Sequence, residues 1–284
     1  MPLVTLAEVL KKAEVESFAV GAFNCNNMEI VQAIVEAAEA EASPVVIQAS
    51  QGALKYAGLD YIVALVRTAA SSTRVPVVLH LDHGTDQQQV WQALRAGFTS
   101  VMVDGSRLPL EENISLTRQV VEVARAMGVS VEGELGRIGG TEDHVQVAGW
   151  EATLTDPGEA RRFVTETGVD ALAVAIGTAH GPYRGVPRLD FERLKTIREL
   201  TGIPLVLHGS SGVPDEDIRR AVALGVRKVN IDTDIRMAFV KKMREVLATR
   251  SEEIDPRKVL GPAREAAREV IRHKMRVFGS TGRA

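Results

Sequence analysis

ALRAGFTSVMV, residues 93–103, reads as the end of one element and the start of another. A stretch of good helix formers stops at Gly97, one apolar residue follows, and the chain enters a β-branched run. Glycine takes the left-handed conformation that closes a helix without steric penalty, so Gly97 can turn the chain straight from helix into strand. The same junction recurs in ARAMGVSVEG (124–133), VTETGVDALAV (164–174), IRELTGIPLVL (197–207) and AVALGVRKVNI (221–231), around Gly128, Gly168, Gly202 and Gly225. A helix-to-strand junction repeated this often implies a repeating unit.

With the earlier apolar runs added, strands are expected at 19–24, 45–50, 76–82, 100–105, 130–135, 171–177, 204–208 and 227–232. Helical patterns separate them. In EIVQAIVEAAEAEAS (29–43), Ile30, Ile34 and Ala37 share one face, with Val31 and Ala38 beside them. Short apolar strands alternating with helices argue for a parallel sheet covered on both faces, and eight such units close an α/β (β/α)8 TIM barrel. A doubly wound open sheet is the alternative. It is disfavoured because no G-x-G-x-x-G follows the first strand.

No linker or low-complexity segment interrupts the chain, so residues 1–284 are expected to form a single barrel domain. Two connections exceed the usual few residues, 136–160 after the fifth strand and 177–190 after the sixth, and their flanking glycines suggest lids. Beyond the eighth strand, SEEIDPRKVLGP (251–262) separates two helical segments. The second, 262–278, is an extra C-terminal helix and a candidate for subunit contacts, in a homodimer or homotetramer.

Composition narrows the function classes. The chain is 45% apolar and 25% charged, ordinary for a folded globular protein. Its 34 Lys and Arg against 37 Asp and Glu are interspersed, which argues against nucleic acid as a partner. No apolar run is long enough to span a membrane, and MPLVTLAEVLKKAEVE (1–16) reads as an amphipathic helix instead of a signal peptide. The lone Cys25, read as a small buried hydrophobe, excludes an internal disulfide. A cytoplasmic protein is expected.

Barrel chemistry collects at the C-terminal ends of the strands. Those ends carry Asn24, Ser50, Asp82 with His83, Asp104, Glu134, His180, His208, and Asn230 with Asp232. His83, His180 and His208 each stand at or just past a different strand and each precedes a glycine. Three imidazoles on one ion leave positions open for water or substrate, the pattern of a catalytic metal site, and nitrogen ligands suit Zn²⁺. Any one of them alone would read as a hydrogen-bonded core or loop histidine. His80, inside its strand, and His273 read as structural or surface residues, while His144 stays open. LHGSSG (207–212) offers backbone N–H groups to an anion, and VNIDTD (229–234) places Asp232 and Thr233 at a strand-to-helix turn. Loops after the seventh and eighth strands are the usual phosphate site of this barrel.

These residues resemble a known family, the class II, zinc-dependent ketose-bisphosphate aldolases, in the branch containing fructose- and tagatose-bisphosphate aldolases. FNCNN, HLDHG, GFTSVM.D, E.ELG with GG.ED, A.GT.HG.Y, LHGSSG, N.DTD and DPRK.LGPAREA occur in family order along the whole chain. The resemblance implies that His83, His180 and His208 hold Zn²⁺, with Asp104 and Glu134 near the metal and able to hold a second or displaced ion. It assigns Asp82 to the proton on the C4 oxygen and Glu142 to the proton on the ketose carbon. Gly181, Gly209, Ser210, Ser211, Asn230, Asp232 and Thr233 match the dihydroxyacetone-phosphate site, Asn230 also lying near the reacting carbons, and Ser50 and Asn24 match the remaining substrate contacts. A monovalent cation, Na⁺ or K⁺, on backbone oxygens is implied too. Arg184 stands where the family usually has Lys, which keeps a positive charge but changes its reach. Ser106-Arg107 stands where Ser-His is expected.

The implied reaction is reversible, zinc-dependent cleavage of fructose 1,6-bisphosphate into dihydroxyacetone phosphate and glyceraldehyde 3-phosphate, a step of glycolysis and gluconeogenesis. Tagatose 1,6-bisphosphate and a non-catalytic barrel partner are the alternatives. A lysine Schiff base is set aside because Lys228 begins its strand and is expected to face the far end of the barrel.

Overall fold

The computed structural model describes residues 3–142, 145–148, 153–183 and 185–284. The chain runs α1 (Leu6–Glu16), β1 (Val20–Asn24), α2 (Met28–Glu41), β2 (Val45–Ser50), α3 (Gln51–Ala57), α4 (Leu59–Ser72), β3 (Val77–Gly84), α5 (Gln87–Ala96), β4 (Ser100–Val103), α6 (Leu110–Ala126) and β5 (Ser130–Leu135). It continues through β6 (Gly139–Glu142), β7 (Val145–Val147), α7 (Pro157–Thr167), β8 (Ala171–Val174), β9 (Ala179–His180), α8 (Phe191–Thr201) and β10 (Leu205–Leu207). The last elements are α9 (Asp215–Ala223), β11 (Val226–Ile231), α10 (Thr233–Thr249) and α11 (Pro256–Phe278).

Eight strands close a barrel in the order β1-β11-β10-β8-β5-β4-β3-β2, every pair parallel. The five glycine junctions end helices as expected. Gly97, Gly168 and Gly202 are left-handed C-caps, and Gly128 and Gly225 take positive φ one residue past a cap. Each releases the chain into the next strand within a few residues.

Alternation along the strands sorts the core into two parts. Outward residues such as Ile47, Leu79, Val101, Leu172, Leu207 and Ile231 pack under the helices. Inward residues Val20, Ala22, Val46, Val78, Met102, Ala171, Ala173 and Val206 form a second cluster with Leu6, Val9, Leu10 and Ala13 of α1. The helix before the first strand therefore closes the N-terminal mouth of the barrel with apolar side chains. Two residues further up the same strands, the inward positions turn polar: Val46 gives way to Gln48 and Ser50, and Val78 to His80 and Asp82, all buried.

Two expectations are corrected. α11 begins at Pro256, six residues before the expected 262, and runs through Pro262. Asp255 caps it by accepting from the Arg257 N–H, and Pro256 at the first turn has no N–H to lose, so the start is set upstream of the internal proline. The long connection after β5 contains a hairpin, β6 with β7, and β6 pairs in parallel with β9, giving a small sheet in the order β7-β6-β9 at the barrel mouth. Among the described residues no helix is long and apolar enough to cross a membrane.

Candidate active site

By strand alternation His80 and Asp82 point into the barrel and His83 should point out. His83 instead has φ of 50°, and the register between β3 and β4 shifts between Leu81 and Gly84. Left-handed backbone at a non-glycine residue is uncommon and costs about 1–3 kcal/mol. Here it turns the His83 ring back over the barrel mouth, beside Asp82.

The three strand-end histidines converge. Their ring centroids are 5.3 Å apart for His83 and His180, 4.9 Å for His83 and His208, and 6.0 Å for His180 and His208, with the planes nearly perpendicular. One nitrogen from each lies within 4.8 Å of the others, and a second group meeting the same limit is His83, Asp104 and Glu134. His83 presents Nε2 to the centre while its Nδ1 sits 2.9 Å from Asp104 Oδ2. His208 presents Nδ1 while its Nε2 lies 2.9 Å from Glu132 Oε1. A carboxylate behind an imidazole fixes its tautomer and leaves the opposite nitrogen's lone pair free for a metal.

Electrostatics fit a cation at this point. Burial, reinforced by the Asp104 charge, pushes the Glu134 carboxyl well above its ordinary value, and its Oε2 has no hydrogen-bond partner among the described residues. Burial would also raise Asp104, but the His83 ring and Ser106 outweigh it and hold Asp104 low. Burial pushes His208 down, keeping a neutral ligand nitrogen. Three imidazoles with two carboxylates, one of them carrying an oxygen without a hydrogen bond, are a donor set that a divalent ion satisfies.

Beneath the histidines lies an ionic layer that the sequence reading missed. Glu132 is fully buried; the Lys228 ammonium at 2.9 Å and the His208 hydrogen bond overcome its desolvation and hold it low. Lys228 corrects an expectation. It is the third residue of β11 and its side chain rises inside the barrel, donating to Asn230 Oδ1 at 2.8 Å. A Schiff base is still disfavoured, now because the ammonium is engaged beneath the site. His80, 2.8 Å from Ser100 Oγ through Nδ1 and pushed well down by burial and Lys228, is structural as expected. His273 pairs with Asp215 on the surface.

Asp82 is fully buried in a ring of amides. Its Oδ2 accepts from Asn24 Nδ2 at 2.8 Å and Gln48 Nε2 at 3.2 Å, and Oδ1 faces Asn230 Nδ2 at 3.4 Å. Gln48 also donates to Asn24 Oδ1 at 2.7 Å. Gln48 was detectable only as a polar residue inside an apolar strand. Ser50, paired in register with Asp82, caps α3 by accepting from Ala53 N–H.

Gly209, Ser210, Ser211, Asp232 and Thr233 gather where β10 and β11 meet their helices. Ser211 Oγ accepts from the N–H groups of Asp232 and Asp234, at 3.3 and 3.2 Å. Asp232 occupies the N-cap position of α10 without capping it, and its carboxylate instead meets Arg236 at 2.7 Å. Tyr183 ties the β9 loop to this region, its hydroxyl donating to Gly209 O at 2.8 Å and accepting from Ala179 N–H. Gly181 has φ of 83° in that loop. Of the remaining expected residues, Glu142 ends β6, two residues past Gly140, which pairs with His180. The Glu142 side chain, Arg184 and His144 lie outside the described residues.

A closed parallel barrel with histidines and carboxylates converging at the C-terminal rim defines a (β/α)8 enzyme with a centre able to hold a metal. Comparison with known proteins makes the assignment specific. A family model described as fructose-bisphosphate aldolase class-II matches residues 4–283. A fructose-bisphosphate aldolase of Thermus caldophilus is 50% identical, over 99% of this chain and 100% of its own. A probable fructose-bisphosphate aldolase of Bacillus subtilis is 47% identical over the whole of both chains. The crystal structure of a putative fructose-1,6-biphosphate aldolase from Coccidioides immitis superposes with a TM-score of 0.90 at 37% identity, covering 98% of this chain and 97% of that one. The chain belongs to the class II fructose-bisphosphate aldolase family, and its chemistry is that of a lyase.

Proposed function

We propose that the protein catalyses the reversible, Zn²⁺-dependent cleavage of fructose 1,6-bisphosphate into dihydroxyacetone phosphate and glyceraldehyde 3-phosphate. The observation that carries this reading is the convergence of His83, His180 and His208 within 4.8 Å, beside the amide-held carboxylate of Asp82. The three histidines would hold Zn²⁺, with Asp104 and Glu134 completing the anionic side of the centre. When bound, the ion supplies Lewis acidity toward the ketose carbonyl.

The chain's own groups do the rest. Asp82 removes the proton from the C4 hydroxyl, the C3–C4 bond breaks with its electron pair left on C3, and the aldehyde departs. Glu142, as an acid, returns a proton to C3. The amides of Asn24 and Gln48 fix the Asp82 carboxylate, and Asn230, itself oriented by Lys228, faces both Asp82 and His208. The ketose phosphate rests over Gly181, Gly209, Ser210, Ser211, Asp232 and Thr233, where backbone N–H groups and the start of α10 favour an anion. Ser50 contacts the far phosphate and Arg184 adds positive charge. Nearby backbone oxygens would hold a monovalent cation, Na⁺ or K⁺. The reading extends to one barrel domain in a cytoplasmic homodimer or homotetramer serving glycolysis and gluconeogenesis.

The test is cleavage of fructose 1,6-bisphosphate against tagatose 1,6-bisphosphate on one preparation, before and after chelation and again after adding zinc. Zinc-restored cleavage favouring the fructose sugar supports the proposal. A preference for tagatose reassigns the substrate, and no cleavage of either by zinc-loaded protein rejects the activity.

A further inference from the structure

We infer that Lys274, on the helix surplus to the eight strand-helix units, is a positioning residue for the anion cradle at the ends of β10 and β11, acting through Asp234. The inference rests on the reading that a substrate phosphate occupies that cradle.

Lys274 is only 7% exposed. Its Nζ lies 3.1 Å from Asp234 Oδ2 and 3.9 Å from Asp215 Oδ1. Asp215 begins α9 and Asp234 stands in the first turn of α10. One buried ammonium therefore ties together the first turns of the two helices that follow β10 and β11. Asp215 is shared with His273, whose Nε2 is 2.7 Å from its other carboxylate oxygen. Asp234 falls to Lys274.

Asp234 in turn holds the cradle. Its Oδ2 accepts from Gly212 N–H at 3.3 Å, and its own N–H donates to Ser211 Oγ at 3.2 Å. A carboxylate in a helix's first turn complements the dipole, but the same carboxylate beside a phosphate dianion repels it. Arg236, two residues further along α10, pairs with Asp232. Lys274 neutralises Asp234 from behind, so the carboxylate orients the Gly212 loop without adding net negative charge at the phosphate. An ammonium this buried also locks the acid's direction, since leaving the ion pair would strand a desolvated charge.

The test uses the full-length, zinc-loaded protein and compares Lys274→Met, Lys274→Arg, Asp234→Asn and the double variant Lys274→Met with Asp234→Asn. Inorganic phosphate is the probe, by calorimetric titration and as an inhibitor, alongside KM and kcat for the bisphosphate, zinc content and thermal unfolding. For Lys274→Met, phosphate affinity should fall about ten-fold, the size of one partly screened charge, and KM should rise in parallel. Zinc content should hold and kcat should fall far less than KM rises. Lys274→Arg should restore most of the affinity, and the double variant should bind phosphate more tightly than Lys274→Met because the uncompensated carboxylate is gone. Phosphate binding unchanged in Lys274→Met, or no recovery in the double variant, overturns the inference. Should Lys274→Met fail to fold, Asp234→Asn decides: it must bind phosphate within about three-fold of the parent, and a ten-fold loss overturns the charge argument. A parent protein that neither binds phosphate nor cleaves a bisphosphate would instead overturn the phosphate reading itself, and this inference with it.

Discussion

Nε2 of His83 and Nδ1 of His208 face each other across 3.1 Å, one from a left-handed residue at the end of β3 and the other just past the end of β10. Each nitrogen is aimed by a carboxylate behind its ring, Asp104 for His83 and Glu132 for His208. Two acids on neighbouring strands thus aim two ligand nitrogens at one point.

His208→Ala should remove bound zinc and cleavage together, since it deletes one of the three proposed ligands. Metal analysis after dialysis, with an activity assay on the same sample, checks it. A zinc-free variant with full activity would refute the metal assignment.

For Asp82→Ala, zinc content should stay at the parent level while kcat falls by about 10²–10⁴, the usual worth of a positioned acid or base. Loss of the metal would show instead that Asp82 supports the ligands.

Glu142→Ala should slow exchange of the ketose carbon proton with solvent, read by NMR of dihydroxyacetone phosphate in D₂O. Exchange at the parent rate would take that role away from Glu142.

Removing the charge of Glu132 strands Lys228 in the barrel interior. Glu132→Gln should destabilise the fold by about 3–5 kcal/mol in denaturant unfolding. The same change should weaken zinc binding by about 10–100-fold through His208. A variant as stable as the parent would mean that Lys228 finds another partner.

Metal-free protein should lose stability on acidification in two stages. His80 is held well below its ordinary value of 6.5, so the unfolded chain binds the proton that the folded one refuses, and stability drops as pH falls below about 6.5. Glu132 is held below its ordinary 4.5, so its contribution is complete above that value and is lost as pH falls through its folded value. Unfolding free energy measured from pH 7 to 3 checks the sign. Glu134, held well above its ordinary value, gains stability in the same window as pH falls, so the decisive comparison is made in Glu134→Gln, where a flat profile between pH 7 and 5 would exclude the stage that His80 and His208 share.

The sequence made the barrel legible because its signals are local. A glycine that ends a helix and a β-branched run that follows need no distant contact, and strand boundaries such as 45–50 and 130–135 coincide with β2 and β5. The three histidines were legible because each lies at or beyond a strand end before a glycine. Glu132, Lys228 and Gln48 were not, because a polar residue one turn of the pleat below the rim has no local mark of its partners. Glu132 meets Lys228 only across the closed barrel, and Lys228 was misplaced because the length of its side chain lifts the ammonium toward the next layer. The β6–β7 hairpin escaped because its strands are three or four residues long and lie among glycines. The early start of α11 was hidden by Pro262, which argues against a helix that the upstream cap sustains.

The apolar floor beneath a polar rim also has an evolutionary reading. Each inward step of two residues climbs about 6.6 Å along a strand, from Val78 to His80 to Asp82. Height along the barrel axis therefore separates two kinds of heritable change. Near the floor, swaps among Val, Ala and Met alter only packing and leave the reaction alone. At the rim, a new side chain rewrites which sugar fits while the floor keeps the chain folded. Between them, Glu132 answers to both Lys228 and His208, so that layer is the least free to change, and descendants of this barrel would diversify from the top down.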